Sequence, residues 1–356
     1  MSLVIVLIIS ALVSFLLTIP TIKFARKLNI TTDSKTRRHP AHTHTGIIPR
    51  GGGIPIYIAF LIGVLLFVEI NKIVLGILLA SSLLIIMGVL DDIFDISAYF
   101  RFFANLVISG IVIGFGLGIP FISNPFGEPI RLDQFQLAFE FFGERKILVW
   151  GDLLALIWLT WTTNMVNWSK GVDGQLPGFV AIAAIFLGLL AYRFTAHDIT
   201  AQTVVLLSFI TAGAFIGFLP HNFFPQKIMP GYGGGSFAGF ILGVLSILSF
   251  GKIGTALLIL AIPSIDAVYS ILRRIKNRKS PFRADWGHFH HRLLEIGWGR
   301  RRIAIFYWII TFVLGIASLY LSGIEKLVAF LTIGFVLLAF IFILNDIKLL
   351  NTKSKK

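Results

Sequence analysis

The chain has 356 residues, of which 56% are hydrophobic and only 13% are charged, and its mean hydropathy is +0.87. Soluble domains carry about 25% charged residues, so this composition excludes an ordinary cytosolic globular protein and a disordered chain. The chain contains no cysteine, which excludes disulfides, thiolate metal sites and a cysteine nucleophile. A net charge of +14 would indicate nucleic-acid binding in a soluble protein but basic cytoplasmic loops in a membrane protein.

Apolar segments long enough to cross a membrane recur along the whole chain. A transmembrane helix needs about 20 mostly apolar residues. We therefore predict an all-α, polytopic membrane protein of about eleven transmembrane helices, with a single membrane domain over 1–350 and a basic tail at 351–356. The first segment lacks the basic start and the cleavage site of a signal peptide, and the eighth could instead be re-entrant. The segments are 3–22, 53–70, 73–90, 103–122, 147–164, 178–194, 200–219, 234–250, 252–270, 304–323 and 326–346.

The distribution of basic residues predicts how these segments are oriented. Of the 31 lysine and arginine residues, 24 fall in the odd-numbered loops and the C-terminal tail, and 7 fall in the even-numbered loops. Because positively charged loops stay in the cytoplasm, the N-terminus is predicted outside and the C-terminus inside the cell. The longest outer loop, 123–146, contains a turn-rich run from Asn124 to Pro129 and is predicted to form a small surface hairpin.

Polar residues that are unusual for a membrane protein lie in the odd-numbered loops, all on the predicted cytoplasmic face. They lie at the ends of the apolar segments, which favours an interfacial enzyme over a transporter with polar groups in mid-membrane. In loop three, Asp91, Asp92 and Asp95 repel one another and are costly to desolvate. They indicate either a cation or base site or a solvated helix end with Arg101 as counter-ion. On a helix Asp91 and Asp92 point about 100° apart, so they can serve two partners.

Loop five places two amides on one face of a helix end. Asn164 and Asn167 are three residues apart, and amides both donate and accept hydrogen bonds, which suits a uracil edge, a sugar hydroxyl or a phosphate. Gly171 and Gly174 allow the backbone to turn sharply directly after the span. The alternative interpretation is a plain capped helix end.

Glycine-rich runs occur in loops seven and one. The run 231–236 stands before an apolar segment, where backbone N–H groups can bind phosphate, although such runs are equally typical of a flexible turn. Loop one combines His39, His42 and His44 with the run 49–53, which reads Pro-Arg-Gly-Gly-Gly. This loop is interpreted either as a basic flap over an anionic ligand or as a loop that only sets the topology.

Loop nine is the most basic loop. Its first part, beginning at Arg273 and Arg274, is typical of an anchor for lipid headgroups. The embedded Asp266 is expected to pair with one of these two arginines. A second cluster suits a diphosphate better than zinc, because loop nine offers few other metal ligands apart from Asp285 and Glu295. That cluster comprises His288, His290, His291 and Arg292.

Taken in chain order, these motifs resemble those of the polyprenyl-phosphate N-acetylhexosamine-1-phosphate transferases of glycosyltransferase family 4. The first and the last motif look more like the N-acetylglucosamine-type branch than the muramoyl-pentapeptide branch. The motifs are Pro49-Arg50-Gly51-Gly52, Asp91-Asp92-x-x-Asp95, Asn164-x-x-Asn167 with Asp173-Gly174, Pro263-x-x-Asp266 and His288-x-His290-His291.

The resemblance implies an activity, its substrates and a location. A hexosamine-1-phosphate, in this branch N-acetylglucosamine-1-phosphate, passes from a UDP-sugar to a polyprenyl phosphate, and UMP is released at the cytoplasmic face of the plasma membrane. The implied partners are the UDP-sugar, the polyprenyl phosphate, membrane lipid and, as an open alternative, a second copy in a homodimer. Nucleic acid is not expected, because no recognition module is present. A transporter or flippase is the rival class, and it lacks support from mid-span polar residues or an internal repeat.

The resemblance also implies roles for individual residues, with Mg²⁺ or Mn²⁺ as cofactor. Asp91, Asp92 and Lys170 are the candidate catalytic residues, and Asp91, Asp92 and Asp173 are the candidate metal ligands. The candidate substrate-binding residues are Arg50, Asn164, Asn167, Asp173, His288, His290, His291 and Arg292.

The chain departs from the family pattern at two positions. Lys170 stands where the family has an aspartate, and Tyr232 replaces the aspartate that binds magnesium in the family. Two carboxylates become one cation and one neutral group, which raises the formal charge of the site by three. Three alternatives follow: Mg²⁺ bound by Asp91, Asp92 or Asp173 with substrate phosphates, an ammonium that takes over part of the charge neutralisation, or a homologue that binds without turnover.

Overall fold

The computed structural model describes residues 2–33, 43, 46–140, 144–196, 199–249, 253–281 and 285–353. Helices account for most of these residues, as the sequence predicted. The described helices are α1 (Leu3–Lys27), α2 (Gly53–Phe67), α3 (Lys72–Phe94), α4 (Ala98–Gly114), α5 (Val149–Trp168), α6 (Gln175–Tyr192), α7 (Ile199–Asn222), α8 (Gly231–Leu248), α9 (Ile253–Ile259), α10 (Ala261–Lys276), α11 (Phe289–Glu295), α12 (Arg300–Tyr320) and α13 (Gly323–Lys353).

Seven of the described helices, α1, α3, α6, α7, α8, α12 and α13, are long and apolar enough to cross a membrane. The bent pair of α9 and α10 brings this number to eight, and α2 and α4 are shorter apolar helices. Together with α5, these elements coincide one by one with the eleven predicted segments. The prediction of a polytopic helical membrane protein is therefore confirmed.

The ninth predicted segment is not one continuous helix. The chain bends by 85° between α9 and α10. Pro263 lies in the first turn of α10 and has no N–H group to continue the hydrogen-bond ladder of α9. The bend directs α10 and its charged end towards the other polar loops.

Six short strands form three separate two-stranded antiparallel sheets in the described chain. The pairing of β3 (Phe121–Ile122) with β4 (Ile130–Arg131) encloses the run from Asn124 to Pro129, which confirms the predicted hairpin. The strands β5 (Gln136–Glu140) and β6 (Glu144–Leu148) form a second hairpin directly before α5. The pairing of β1 with β2 leads the chain to Arg50 at the polar end of the bundle. The strands are β1 (Thr31–Asp33), β2 (Ile47–Pro49), β3 (Phe121–Ile122), β4 (Ile130–Arg131), β5 (Gln136–Glu140) and β6 (Glu144–Leu148).

The centre of the bundle is α8, which is almost entirely buried against α2, α3 and α5. Glycines permit this close packing, because a Cβ atom at Gly88 would overlap the backbone of Gly233 and one at Gly53 would overlap Gly234. The glycine-rich run was expected to be a loop that precedes a helix. Instead it forms the first turns of α8, where the absence of side chains allows neighbouring helices to approach.

The end of α3 is fixed by local geometry and presents its carboxylates to the site. Asp95 ends the helix in a left-handed conformation with φ of 54°. Ser97 then begins α4 by accepting a hydrogen bond from the backbone N–H of Phe100. This tight turn brings Arg101, one turn into α4, back over Asp91.

Candidate active site

A cavity of about 500 Å³ opens where the ends of α3, α5 and α10 meet the beginnings of α8 and α11. Side chains from loops one, three, five, seven and nine line it, so all five odd-numbered loops converge on one place. Within the described chain its charged lining has four cationic and three acidic residues, together with three histidines. These residues are Arg50, Asp91, Asp95, Arg101, Lys170, Arg274, Asp285, His288, His290 and His291.

The structure brings together most of the residues singled out from the sequence. Asp92, Asp173 and Arg292 lie outside the cavity lining, and His39, His42 and His44 lie outside the described residues. Eight candidates line the cavity: Arg50, Asp91, Asn164, Asn167, Lys170, His288, His290 and His291.

Asp91 is held by arginine on two sides. The Nη1 atom of Arg101 lies 3.1 Å and 3.2 Å from the two carboxylate oxygens of Asp91, and Nη2 of Arg50 lies 4.0 Å from Oδ2. The predicted counter-ion is thus present, but this helix end is not solvated, because Asp91 is fully buried. A buried carboxylate requires such partners. Of the three loop-three aspartates only Asp95 is exposed.

Asp92 joins three loops and has a structural role at the start of α8. Its Oδ2 atom accepts a hydrogen bond from the backbone N–H of Gly51 at 3.0 Å, and its Oδ1 atom accepts one from Tyr232 at 3.2 Å. The Nε atom of Arg50 lies 3.1 Å from the same Oδ1 atom. A carboxylate at a helix N-terminus also interacts favourably with the helix dipole. Asp92 therefore occupies the N-terminus of α8, where the glycine-rich run had suggested that a phosphate could bind.

Tyr232 separates two cations in the wall of the cavity. Its ring centre lies 5.1 Å from the guanidinium of Arg101 and 5.8 Å from the ammonium of Lys170. The Tyr232 hydroxyl exchanges hydrogen bonds with the side chain of Asn105. The Nζ atom of Lys170 donates to the carbonyl oxygen of Gly231 at 2.7 Å. Burial lowers the pKa of Lys170 to about 7, although the attraction of Asp92 opposes this shift.

The two loop-five asparagines line the cavity, whereas Asp173 does not. Asn164 donates to the carbonyl oxygen of Thr160 at 2.8 Å. The buried Oδ1 atom of Asn167 accepts no hydrogen bond from the part of the chain that is described. Asp173 accepts from the backbone N–H of Gln226 at 3.3 Å and lies 3.8 Å from Arg300. Burial raises the pKa of Asp173. Through its contacts with Gln226 and Arg300, Asp173 connects loop five to loop seven and α12.

Asp266 does not pair with Arg273 or Arg274, so that expectation was wrong. About two helical turns, roughly 10 Å, separate Asp266 from these arginines along α10. The returning chain brings Asp285 to both arginines, at 2.7 Å and 3.1 Å, and brings His288 to Asp266. Burial alone would raise the pKa of Asp285, but Arg274 and Arg273 hold it below its ordinary value.

The histidines of loop nine are buried at one end of the cavity. Arginine can only donate, so the Nε2 atom of His288 accepts from Arg274 at 3.2 Å, and its Nδ1 atom donates to Asp266 at 2.9 Å. The Nε2 atoms of His290 and His291 lie 3.2 Å apart. Burial, reinforced by the neighbouring histidines, lowers the pKa of His290 well below its ordinary value, which keeps this ring neutral.

Arg292 is directed away from the cavity. It donates to the carbonyl oxygen of Gly287 at 3.3 Å and to the hydroxyl of Tyr269 at 3.4 Å, and it lies over the Tyr269 ring. Its neighbour in the sequence motif, His291, instead stacks on Trp286 with the ring centres 4.1 Å apart.

Sequence reasoning assigned Arg274 to lipid anchoring, but it is buried and lines the cavity. A usable signal was present in the spacing. Asp266, Ser270 and Arg274 are four residues apart, so they share one face of α10, and all three are buried. Arg278, the next residue in this series, lies beyond the end of the helix and is exposed. The anchor interpretation treated all the arginines of loop nine alike and missed this face.

The residues described do not fit the expected magnesium site. Among them no group of three or more acidic or histidine side chains is placed to hold a metal ion. Mg²⁺ takes oxygen ligands in an octahedral arrangement. The oxygens of Asp91 and Asp92 already accept from guanidinium or amide groups, and Asp173 lies outside the cavity lining.

The fold is a polytopic helical bundle of a membrane protein, with a cavity at one end whose lining has one more cationic than acidic residue. Residues 74–250, from α3 to the end of the α8 region, match the model of glycosyl transferase family 4. The chain belongs to this family. The match contains Asp91, Lys170 and Tyr232 and thus much of the cavity.

Similarity to other named proteins extends beyond the matched region. The chain is 28% identical over 99% of its length to a Bacillus subtilis protein named a probable undecaprenyl-phosphate N-acetylglucosaminyl 1-phosphate transferase, of which 94% is covered. It is 29% identical over 77% of its length to a decaprenyl-phosphate N-acetylglucosaminephosphotransferase of Mycolicibacterium smegmatis, of which 72% is covered. A phospho-N-acetylmuramoyl-pentapeptide-transferase of Moorella thermoacetica is 22% identical over 88% of the chain and 97% of its own length.

Proposed function

We propose that this protein transfers N-acetylglucosamine-1-phosphate from UDP-N-acetylglucosamine to a polyprenyl phosphate and releases UMP. The observation that carries the proposal is the cavity in which all five odd-numbered loops meet and in which cations outnumber acids. Both substrates are phosphate anions, and guanidinium and ammonium groups are the side chains that bind phosphate. The names of the relatives, one of which aligns with 99% of the chain, support the same reaction.

The reaction is a displacement at the sugar-linked phosphorus. An oxygen of the polyprenyl phosphate forms a new P–O bond to this phosphorus, the bond to the bridging oxygen breaks, and that oxygen leaves on UMP. The second pKa of a phosphate is near 6, so the acceptor is largely a dianion at neutral pH and needs no strong base. The principal obstacle is the approach of two anions, and catalysis consists mainly of positioning and charge neutralisation.

The lining residues divide into charged and neutral groups with different tasks. Arg50, Arg101, Lys170 and Arg274 supply the positive charge for the phosphoryl oxygens. Asn164 and Asn167 face the same cavity, and the buried Oδ1 atom of Asn167 is a suitable acceptor for a hydroxyl or N–H group of the nucleotide sugar. Asp91, paired with Arg101, positions that guanidinium and does not act as a base.

We place the cavity at the cytoplasmic face of the plasma membrane, with eleven spans, the N-terminus outside and the C-terminus inside. The 24 basic residues of the odd-numbered loops and the tail, against 7 on the other side, support this orientation. The cavity is built from the odd-numbered loops, so it lies on the positively charged side. Labelling of single cysteines introduced at Lys227 and Lys146 in intact cells tests the orientation, since only the outer position should react with an impermeant reagent.

The activity is tested with purified protein, undecaprenyl phosphate and radiolabelled UDP-N-acetylglucosamine. Labelled lipid and UMP in equal amounts are expected. Arg274→Met should abolish most of the transfer, whereas the matched variant Lys276→Met, at an exposed position of the same helix, should retain it. Absence of product with every UDP-sugar of a panel, from protein that still binds UDP, would identify a binding homologue without turnover.

A further inference from the structure

The neutralising charge at the transfer site comes from the protein itself. We propose that Lys170 and Arg101, held on the ring of Tyr232, take the place of a divalent metal ion in binding the diphosphate of the nucleotide sugar. Transfer then proceeds without Mg²⁺ or Mn²⁺. This inference rests on the proposed function for its substrate, and it assigns to Tyr232 the role of positioning two cations.

The carboxylates of the cavity are not available to a metal ion. Asp91 and Asp92 are both buried, and each is bound by at least one arginine. Asp95 lies 3.7 Å from Arg50, and Asp285 is held by Arg273 and Arg274. A metal would have to displace a guanidinium from a buried ion pair before it could coordinate.

Tyr232 holds its two cations without adding a negative charge to that of Asp91, which already pairs with Arg101. An aromatic ring attracts a cation through its quadrupole and carries no formal charge. The guanidinium of Arg101 lies 5.1 Å and the ammonium of Lys170 lies 5.8 Å from the centre of the Tyr232 ring. A carboxylate at position 232 would form ion pairs with the same two groups, so less of their positive charge would be available to the ligand.

Lys170 retains donors for a ligand. An ammonium group has three N–H donors. In the described part of the chain, the carbonyl oxygen of Gly231 is the acceptor recorded for Lys170, which fixes the ammonium at the start of α8 and leaves two donors for phosphate oxygens. Lys170 lines the cavity beside Arg101 and Tyr232, so these donors face the site.

The formal charge of the lining shows why this arrangement replaces a metal. With four cations and three acids the lining carries +1 when the histidines are neutral. Aspartates at positions 170 and 232 would change this value to −2, and a divalent cation would then be needed before a diphosphate could approach. With Lys170 and Tyr232 in place of two aspartates, the lining is more positive by three charges, which exceeds the two charges of a divalent cation.

The first experiment compares UDP binding and transfer with and without a divalent metal. Protein freed of metal with EDTA and verified by mass spectrometry should bind UDP within about twofold of its affinity in excess Mg²⁺, and it should form lipid product at a similar rate. Transfer that appears only with Mg²⁺ would leave the proposed function standing and overturn this inference. If no transfer occurs under either condition, the proposed function fails and UDP binding decides the inference: binding in EDTA supports it, and binding that requires Mg²⁺, or no binding at all, overturns it.

The second experiment exchanges the charges. Lys170→Met should weaken UDP binding in EDTA at least about tenfold, while Lys170→Arg, which keeps the charge, should remain within about threefold. The double variant Lys170→Asp with Tyr232→Asp should bind UDP only when Mg²⁺ is added. Metal-independent binding by this double variant would overturn the inference. If it does not fold, as judged by thermal unfolding in detergent, the Met and Arg variants decide, and equal affinities for both would also overturn it. Lys276→Met is the matched control on the exposed end of α10.

Discussion

The Nδ1 atom of His288 lies 2.9 Å from the Oδ2 atom of Asp266, and both side chains are buried at the inner end of the cavity. The other oxygen of Asp266 accepts from the backbone N–H of Phe289 at 2.8 Å. Asp266 thus begins a chain of contacts, since the opposite nitrogen of His288 accepts from Arg274, whose guanidinium lines the cavity. Through His288, Asp266 thereby helps to orient Arg274, about two helical turns away, together with Asp285.

Removal of the Asp266 carboxylate should destabilise the protein strongly. Asp266→Ala leaves the buried backbone N–H of Phe289 unsatisfied, at a cost of about 1–3 kcal/mol. The Nδ1 atom of His288 loses its hydrogen bond to a carboxylate, worth about 1.5–3 kcal/mol, and keeps the longer contact of 3.3 Å with Ser270. We expect a loss of about 2–6 kcal/mol in the free energy of unfolding, measured by denaturation in detergent micelles. Asp133→Ala is the control, because its ion pair with Arg131 lies at the surface, where such a pair contributes little to stability. Equal stabilities of the two variants would contradict the buried role of Asp266.

Asp92 should be more important for the architecture of the site than Asp95. An asparagine has one acceptor oxygen, so Asp92→Asn loses either the amide of Gly51 or that of Tyr232, and it also loses its charge against Arg50. We expect at least about tenfold slower transfer and a lower unfolding temperature. Asp95→Asn, at the exposed position in the same motif, should keep the unfolding temperature of the wild type. A wild-type unfolding temperature for Asp92→Asn would disprove the bridging role.

Close helix packing at the centre of the bundle predicts opposite effects for two glycine-to-alanine changes. Gly88→Ala places a methyl group against the backbone of Gly233 and should force α3 away from α8, at a cost of about 1–3 kcal/mol. Gly110→Ala, where no atom lies within 4 Å of the added Cβ, should stabilise α4 by up to about 1 kcal/mol because alanine favours the helix. Thermal unfolding of both variants in the same detergent measures the difference. An unchanged or raised unfolding temperature for Gly88→Ala would show that α3 and α8 are not in close contact.

Much of the architecture could be predicted because its signals are local. Each of the eleven apolar segments overlaps a helix, or in the ninth a bent pair of helices, and the hairpin around Asn124–Pro129 follows from turn residues that lie next to one another. The sorting of charge between loops also placed the polar motifs on one side, and the structure brings these loops to one cavity. These features depend on residue types within a short stretch, not on which distant groups meet.

The partners of the charged side chains could not be predicted in the same way. Whether Arg274 meets Asp266 or Asp285 depends on the path by which the chain returns after α10. The role of Asp92 depends on the close approach of α8, which glycines permit but whose geometry they do not specify. Arg292 belongs to the histidine motif by sequence, yet the first turn of α11 directs it towards Tyr269. In each case the charged side chain could have paired with several groups, and the tertiary fold determines which of them it contacts.

The pKa of Lys170, at about 7, predicts a specific pH dependence for UDP binding in metal-free buffer. Below pH 7 the ammonium is already charged in the free protein, so this group adds no pH dependence. Above pH 7 the free protein has lost the proton that the bound anion favours, so binding must take up a proton and the affinity must fall. The expected decrease between pH 7.5 and 8.5 is close to tenfold, up to the point where the pKa of the complex is reached.

The phosphates of UDP and His290 do not produce the same change over this range. The phosphates of UDP, with a pKa near 6, are already ionised above pH 7, and the lowered pKa of His290 keeps that ring neutral throughout. Lys170→Arg should therefore bind UDP with nearly constant affinity from pH 7 to 9, because a guanidinium stays charged there. Isothermal titration calorimetry at several pH values, in two buffers of different ionisation enthalpy, measures both the affinity and the proton uptake. Equal pH profiles for the wild type and Lys170→Arg would show that UDP binding is not coupled to an ionisation of Lys170 near pH 7.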